Sequence, residues 1–206
     1  MTRPAQDAAR TTPTRLLVVR HGQSEWNASG RWQGQADPPL SAEGQLQAAQ
    51  AGLGVGTFDA IWASDLQRAR FTGEIIAAII GFGPVLVDLR LRETDVGPWE
   101  GLTHDEVNLG WPDYLDNHRR PEGFEPYDDA AKRMIAAFVD IAAASPGGEI
   151  LIVSHGGVIR AVRRMLGAAD ARMPNLSGSR FTVNGDRVTT GEFVDLVGAA
   201  PAGTAL

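Results

Sequence analysis

The sequence lacks cysteine, long apolar runs and an excess of positive charge, and each absence removes a class of function. With no cysteine among 206 residues, disulfides, thiolate nucleophiles and cysteine-ligated zinc are excluded. The longest apolar run, 75–80, is far shorter than the roughly 18 residues that a membrane-spanning helix needs. A net charge of -6 argues against a nucleic-acid or anionic-membrane surface. We therefore expect a cytoplasmic protein with no nucleic-acid or membrane partner.

The common phosphate-binding loops of nucleotide enzymes are also missing. Neither G-x-x-x-x-G-K-[S/T] nor G-x-G-x-x-G follows a predicted strand. The hydrophobic share of 43% and the charged share of 21% are those of an ordinary globular protein. We predict a single domain over 15–197, between a flexible leader at 1–14 and a flexible tail at 198–206.

Short apolar runs alternate with segments of helical spacing, which predicts an α/β fold. Strands are predicted at 15–19, 84–87 and 149–153, with a weaker one at 59–63. The runs RLLVV and EILIV lack polar alternation, as strands covered on both faces do. The expected architecture is a three-layer α/β/α sandwich around a mostly parallel, mixed sheet.

Capping residues predict where three of the helices begin. Ser41 is an N-cap residue for a helix that runs to about residue 51. Ser64 is followed by Gln67, and Thr103 by Glu106, and both pairs have the spacing of a capping box. A further helix is therefore expected after each of these two pairs.

Two more helices and a hairpin follow from periodicity and turn chemistry. Apolar residues recur at helical spacing over 127–144, and a helix over 156–167 begins directly after a strand. Asn184-Gly185 between two β-rich runs is a strong hairpin signal. This hairpin either closes one edge of the sheet or pairs with another subunit, so a homodimer is one of two alternatives.

The two longest apolar strands end in the same way. One runs into Arg20-His21-Gly22, and the other into Ser154-His155-Gly156. In open α/β sheets, ligands bind outside the carboxyl ends of the strands. A single histidine there is as often a polar group that satisfies the backbone, but two such endings favour a shared site. A glycine after each histidine lets the backbone approach a ligand closely.

Arginines at the same edge indicate that the ligand is an anion. Arg68 is expected in the first turn of the helix that follows the strand at 59–63, where free N–H groups attract anions. Guanidinium groups such as those of Arg20 and Arg68 bind phosphate oxygens in pairs. A divalent metal would be repelled by these charges, and no metal-ligand spacing such as H-E-x-x-H is present. We expect a phosphate site without metal or cofactor.

Four segments in order resemble the signatures of the histidine phosphatase superfamily, which also contains the cofactor-dependent phosphoglycerate mutases. They are LLVVRHGQSEWN, ASDLQRARFT, LRETDVGPWEGLT and LIVSHGG. The resemblance implies a phosphoglycerate mutase-like fold and transfer of a phosphoryl group to His21. It also implies that Arg20, Arg68 and His155 hold the phosphoryl oxygens, and that Glu93 is the proton donor.

The resemblance extends to a second set of residues around the phosphate, namely Asn27, Gln33, Gly34 and Gly156. Asn27 and Gln33 match family positions that bind phosphate oxygens, although each also suits a turn. For Glu93, the ordinary alternative is a surface ion pair with Arg90 or Arg92.

Departures from the mutase pattern favour a phosphatase. The mutases carry a tyrosine three residues after the acidic glutamate and a lysine further on, where this chain has Val96 and His104. Neither replaces the lost donor for a second phosphate, because an aliphatic side chain donates no hydrogen bond and histidine is only a conditional cation. The mutases also have a longer insertion before the second histidine. A mutase activity and a catalytically silent phospho-ligand binding module remain the alternatives.

The segment at about 104–127 is expected to form a lid over the pocket. Arg119 and Arg120 match the position of an arginine pair in the mutases, where they would meet an anionic group of the substrate, but a solvated pair is equally consistent. Phe124 and Pro126 stand in a Gly-Phe-Glu-Pro stretch where many members have Gly-Gly-Glu-Ser, so we expect a reshaped leaving-group site. The sequences of the motifs most resemble those of the subgroup that includes glucosyl-3-phosphoglycerate phosphatase. The expected substrate is a small phosphomonoester, such as a phosphoglycerate or sugar-phosphoglycerate.

Overall fold

The computed structural model describes residues 12–198, which form one mixed sheet with helices on both faces. In chain order the main elements are β1 (Thr14–Arg20), α1 (Glu25–Ala28), α2 (Ala42–Gly54), β2 (Ala60–Ala63), α3 (Gln67–Ile80), β3 (Val85–Val87), α4 (His104–Gly110), α5 (Tyr127–Ala144), β4 (Glu149–Ser154), α6 (Gly156–Met165), β5 (Ser177–Asn184) and β6 (Arg187–Asp195). Two short 3₁₀ helices, Leu89–Leu91 and Gly97–Trp99, lie between β3 and α4.

The six strands lie in the order β3-β2-β4-β1-β5-β6. The first four are parallel to one another, and the C-terminal hairpin adds β5 antiparallel to β1 and β6 antiparallel to β5. The mostly parallel, mixed sheet that the sequence predicts is confirmed. Gly185 has a φ of 59°, and the two-residue turn joins paired Asn184 and Arg187.

Alternation along β1 divides the core into two layers. Leu16 and Val18 pack in one buried cluster with residues of α5 and α6, whereas Leu17 and Val19 pack in another with residues of α2 and α3. Both sets are 0–2% exposed, so β1 is covered on both faces. Burial on both faces explains why this strand carries no polar alternation. The three-layer sandwich is confirmed.

Most of the predicted helix boundaries are confirmed. The Ser41 side chain accepts a hydrogen bond from the backbone N–H of Gly44 at 3.0 Å, and Thr103 and Glu106 form the expected capping box. The helix α5 begins and ends at the predicted residues, and α6 ends two residues before the predicted position. Within residues 12–198, no helix is long and apolar enough to cross a membrane.

The capping box predicted at Ser64 is wrong. The N-cap residue of α3 is Leu66, and Ser64 Oγ instead accepts from the N–H of Leu66 at 3.3 Å within a turn. The carboxylate of Asp37 accepts from the N–H of Gln67 at 2.7 Å and so caps the helix from a distant loop. A cap supplied by tertiary contact has no signature in the local sequence.

The predicted domain boundaries fall near the ends of the described residues. The strand β1 begins at Thr14, one residue inside the predicted leader, and Thr14 Oγ1 accepts from the N–H of Gly147 at 3.0 Å. Residue 198 lies in a turn after β6. The rest of the leader prediction at 1–11 and of the tail prediction at 199–206 lies outside the described residues.

The segment predicted to form a lid contains α4 and a run of turns that packs on a third apolar cluster. Its buried members include Val96, Trp99, Val107 and Phe124. The ring of Phe124 lies edge-on to Trp99, with ring centroids 5.6 Å apart. Pro126 is the N-cap residue of α5. Whether this segment opens and closes stays a prediction.

The loop that follows β1 crosses the start of α2 at backbone contact. A Cβ on Gly22 would overlap the Gly44 carbonyl oxygen, and a Cβ on Gly44 would overlap the Gln23 carbonyl oxygen. Only glycine at both positions allows this approach. The contact fixes the chain directly after His21.

We expect Gly44→Ala to lower the free energy of unfolding by about 1–3 kcal/mol, because the added methyl group overpacks a rigid backbone contact. Chemical denaturation followed by tryptophan fluorescence measures the loss. Gly54→Ala in the same helix is the matched control, since nothing lies within 4 Å of its Cβ position. A Gly44→Ala variant as stable as the Gly54→Ala variant would contradict the contact.

Candidate active site

The parallel pairing of β1 with β4 brings the two strand-end histidines together. Arg20 pairs with Ser154 in the register, and the N–H of His21 donates to the Ser154 carbonyl at 2.9 Å. The His21 and His155 rings therefore meet edge to face, with centroids 5.1 Å apart. Both side chains are almost completely buried, at 2% and 0% exposed.

The backbone fixes which nitrogen of His21 is free to react. His21 Nδ1 lies 2.6 Å from the carbonyl oxygen of Gly22. A carbonyl only accepts hydrogen bonds, so Nδ1 carries the proton and Nε2 of the neutral ring keeps its lone pair. The main chain around this ring is held by Thr72, whose Oγ1 accepts from Gly22 N–H at 3.0 Å, and by Asn175, whose amide donates to the His21 carbonyl at 2.9 Å.

His155 is buried with both ring nitrogens unpartnered, as judged over the described part of the chain. It is the N-cap residue of α6, and its side chain makes no capping hydrogen bond. A buried polar group without a partner is rare in a folded protein. Such a group indicates a ligand that supplies the missing hydrogen bond.

Two guanidinium groups border the histidines without a carboxylate partner in residues 12–198. Arg68, fully buried in the first turn of α3, donates to the carbonyls of Gly34 and Ala36 at 2.9 and 2.6 Å. Its Nε has no partner in the same part of the chain. Arg20 donates to the Met173 carbonyl at 2.8 Å. Gly34 has a φ of 50° and would overlap Val96 if it carried a Cβ, so the turn that holds Arg68 requires glycine.

Burial and these positive charges determine the charge state of the site. Burial, followed by the charges of Arg68 and Arg20, holds the pKa of His21 well below its ordinary value. Burial and Arg68 do the same to the pKa of His155. Burial lowers the pKa of Arg68 to about 10, and it also lowers the pKa of Arg20. At neutral pH both imidazoles are therefore neutral and both guanidiniums are charged.

Glu93 faces the same cavity and is bound by the start of α6. Its Oε1 accepts from the N–H groups of Thr94 and Val158 at 2.8 Å each, and its Oε2 accepts from Gly157 at 2.9 Å. The neighbouring arginines do not pair with it: Arg90 pairs with Asp88 and Asp140, and Arg92 with Asp65. The surface ion pair offered as the alternative for Glu93 is therefore wrong.

All four residues of the second set line the cavity. Asn27 Oδ1 accepts from the Ser24 N–H at 3.2 Å, and Ser24 Oγ donates to Gln33 Oε1 at 2.7 Å. Asn27, Gln33 and Gly34 all line the cavity, and so does Gly156, the first residue of α6. Asn27 thus serves the turn and borders the cavity at the same time.

The cavity has a volume of about 580 Å³. Arg120 lines it, whereas Arg119 does not and stacks on Tyr114 with its guanidinium 4.2 Å from the ring centroid. Seven arginines line the cavity, against the carboxylates of Glu93 and Asp170; they are Arg20, Arg31, Arg68, Arg120, Arg160, Arg164 and Arg172. In a chain of net charge -6, the cavity is a local concentration of positive charge. Within residues 12–198, no group of three His, Asp or Glu side chains is arranged to hold a metal ion.

Sequence reasoning missed several residues that this geometry brings in. Thr72, Asn175 and Ser154 bond to the chain around the site, and Arg160, Arg164 and Arg172 line the cavity. The spacing of Gly156, Arg160 and Arg164 by four residues, which places them on one face of α6, was the available signal. The other contacts join segments far apart in the chain, so no local pattern announces them.

Known proteins similar to this chain in sequence include proteins named as phosphatases and as probable mutases. A glucosyl-3-phosphoglycerate phosphatase of Mycolicibacterium vanbaalenii is 37% identical over 181 residues, 80% of this chain and 79% of that protein. A probable phosphoglycerate mutase of Klebsiella pneumoniae is 41% identical over 150 residues, 68% of this chain and 69% of that protein.

A solved mycobacterial glucosyl-3-phosphoglycerate phosphatase, in complex with VO3, superposes with a TM-score of 0.76 at 30% identity, over 87% of this chain and 96% of that one. A phosphoserine phosphatase mutant of Entamoeba histolytica in complex with phosphoserine gives a TM-score of 0.72 at 25% identity, over 87% of this chain and 96% of that one. The family model of the histidine phosphatase superfamily, branch 1, matches residues 16–194. The chain belongs to the histidine phosphatase superfamily.

Proposed function

We propose that this chain is a phosphomonoester hydrolase that works through a phosphohistidine at His21, without a metal, on a small phosphorylated metabolite. One observation carries the proposal: a neutral imidazole with a free Nε2 lies beside Arg20 and Arg68, which have no carboxylate partner in residues 12–198. A buried charge without an ion-pair partner is costly, and a phosphate dianion supplies two opposite charges. The unpartnered His155 adds a donor for the same anion.

In the first step, His21 Nε2 attacks phosphorus and forms an N–P bond while the bond from phosphorus to the ester oxygen breaks. The attacking nitrogen needs its lone pair, which the lowered pKa of His21 keeps available at neutral pH. Arg20, Arg68 and His155 stabilise charge on the three equatorial oxygens of the loose transition state. Protonated Glu93 delivers its proton to the departing alkoxide.

In the second step, Glu93 acts in the opposite direction. As a carboxylate, held by three backbone N–H groups, it takes a proton from water, and the oxygen of that water attacks phosphorus. The P–N bond breaks, inorganic phosphate is released and His21 returns to its neutral state. Asn27, Gln33, Gly34 and Gly156, which line the cavity, are assigned to binding the phosphate.

The site favours a hydrolase over a mutase. Val96, at the tyrosine position of the mutases, is buried and has no donor, and the His104 ring lies against Trp32 with centroids 5.4 Å apart. A silent binding module is disfavoured because the free Nε2 of His21 and Glu93 at the α6 start are both retained. The cytoplasmic location, the homodimer and the lid stay predictions.

Two further arginines that line the cavity support a substrate with a second negative group. The guanidiniums of Arg120 and Arg164 lie over the Tyr127 ring at 5.5 and 4.9 Å from its centroid. In contrast to Arg160, which is paired with Asp170, neither has an ion pair among the described residues. The glycerate carboxylate of a phosphoglycerate derivative fits these charges, and the names of the mycobacterial relatives support glucosyl-3-phosphoglycerate.

We expect His21→Ala to lose at least about 10³-fold in p-nitrophenyl phosphate hydrolysis, because the covalent route needs the nucleophile. A chelator leaves the native activity unchanged, and quenching in alkaline detergent detects a base-stable, acid-labile phosphohistidine label in the native chain alone. The control is orthophosphate, which still raises the melting temperature of His21→Ala through Arg20 and Arg68. Full activity in His21→Ala would remove the nucleophile assignment, and loss of activity with chelator would remove the metal-free mechanism.

The lowered pKa values of His21 and His155 predict a loss of stability in mild acid. Unfolded histidines protonate near pH 6.5, so below that pH the unfolded chain binds more protons than the folded one. The free energy of unfolding then falls as pH falls, by up to about 1.4 kcal/mol per pH unit for each histidine, until the folded pKa is reached. Urea denaturation at a series of pH values from about 7.5 to about 5.5 measures how the free energy of unfolding changes with pH.

In the same experiment His155→Asn, which removes one of the two groups, roughly halves that slope. Carboxylates with lowered pKa, such as Asp65 and Asp88, act at lower pH and do not interfere. Equal slopes for the native chain and His155→Asn would contradict the buried, neutral state of His155.

We expect phosphomonoesters that carry a carboxylate to be hydrolysed with at least about tenfold higher kcat/KM than phosphomonoesters without one. The reason is that a hydrogen bond to a charged group contributes about 1.5–3 kcal/mol. A panel of glucosyl-3-phosphoglycerate, 3-phosphoglycerate, glycerol phosphate and glucose 6-phosphate measures the preference. Arg164→Met narrows the preference, whereas Arg70→Met, exposed on α3, leaves it unchanged. Equal or better turnover of glycerol phosphate and glucose 6-phosphate would exclude carboxylate-bearing phosphomonoesters as the preferred substrates.

A further inference from the structure

Side chains from other elements bind the backbone carbonyls of the loop that carries Glu93. The carbonyl oxygens of residues 90, 92 and 93 accept from the guanidinium of Arg133 on α5, at 2.7, 2.7 and 2.9 Å. The carbonyl of Leu91 between them accepts from Ser154 Oγ at 2.8 Å. Gln35 Nε2 also donates to the Glu93 carbonyl, at 3.3 Å. Three side chains therefore bind four successive carbonyls.

Glu125 completes this network from the end of the predicted lid. Its carboxylate receives Nε and Nη2 of Arg133 at 2.8 and 2.9 Å. The same carboxylate accepts from the Asp95 N–H at 3.0 Å, and the Glu125 N–H donates to the Asp95 carbonyl at 2.9 Å. Arg133 and Glu125 thus grip the chain on both sides of Glu93.

The charges of this network are balanced within it. Arg133 and Glu125 are 21% and 20% exposed, and each is the ion-pair partner of the other. Because Arg90 and Arg92 have their own carboxylates, none of the three arginines next to Glu93 forms an ion pair with it. The Glu93 carboxyl is left to the N–H groups of α6 on one side and to the cavity on the other.

We propose that Arg133, with Glu125, is the positioning residue that sets the Glu93 carboxyl for proton transfer. The inference rests on the proposed function and deepens it. Arg133 links the backbone of the loop to α5 by hydrogen bonds, and the side chain of Glu93 is bound to the start of α6. The carboxyl is therefore held between two helices that pack on each other. A misplacement of about 1 Å in such a group costs on the order of 10²-fold in rate.

A comparison of two esters, one whose leaving group needs a proton and one whose leaving group does not, distinguishes a positioning role from a general loss of structure. The p-nitrophenolate ion departs without a proton, whereas the alkoxide of glycerol phosphate needs one from Glu93. The ratio kcat/KM covers only the steps through phosphorylation of His21, so it isolates the acid step from the later hydrolysis. A displaced Glu93 must therefore lower kcat/KM for the alkyl ester and spare it for the aryl ester.

For Arg133→Met we expect kcat/KM for glycerol phosphate to fall about 10²-fold, while that for p-nitrophenyl phosphate stays within about threefold. Hydrolysis of the phosphohistidine also slows, so p-nitrophenol appears in a burst. Arg133→Lys restores part of the alkyl rate, since an ammonium reaches fewer acceptors than the guanidinium fork. Lys132→Met is the matched control. Lys132 directly precedes Arg133 in α5 and forms an exposed ion pair with Asp129, so its replacement leaves kcat/KM for both esters unchanged.

Glu125→Gln tests the same role without removing the arginine, and it serves where Arg133→Met does not fold. It should produce the same selective loss, smaller in size. Equal losses for both esters, or no loss for either, would overturn the positioning role. If the native chain hydrolyses neither ester and forms no phosphohistidine, the proposed function itself fails, which is a distinct result.

Discussion

The register of β1 against β4 is the constraint on which both the core and the site depend. Pairing of Arg20 with Ser154 makes the two parallel strands end at the same level, so the residues that follow face one crevice. A slip of one residue would turn Leu16 and Val18 toward the wrong helical layer. The same slip would separate the histidines. Hydrophobic burial therefore enforces the alignment that the chemistry needs.

Around this edge the chain separates two kinds of arginine. Arg90, Arg92 and Arg133 are each neutralised by a carboxylate and act as structural ties. Within residues 12–198, Arg20 and Arg68 donate hydrogen bonds to backbone carbonyls alone, which orient a guanidinium without cancelling its charge. Desolvating these two cations costs free energy that the two apolar core clusters must offset. The positive potential of the cavity is thus maintained by packing elsewhere in the domain.

Strand ends, helix α5 and the hairpin could be predicted because each has a local signal, such as an apolar run that meets a polar pair. The resemblance to a known family then indicated the residues of the cavity, His21 and Glu93 among them. The cap at Ser64 was wrong because Asp37 reaches α3 from another loop. Arg133 was missed because its acceptors are main-chain carbonyls some forty residues away, and carbonyls carry no sequence identity.

The hydrogen bond from His21 to the Gly22 carbonyl has a consequence for the effect of mutations. In many enzymes a side-chain carboxylate orients the reactive imidazole, and a single codon change abolishes it. Here the acceptor is a peptide oxygen, which every substitution retains. The choice of reactive nitrogen therefore depends on the path of the main chain after β1, which the contact between Gly22 and Gly44 fixes. Side chains elsewhere in the cavity can be replaced without removing the acceptor that orients the nucleophile.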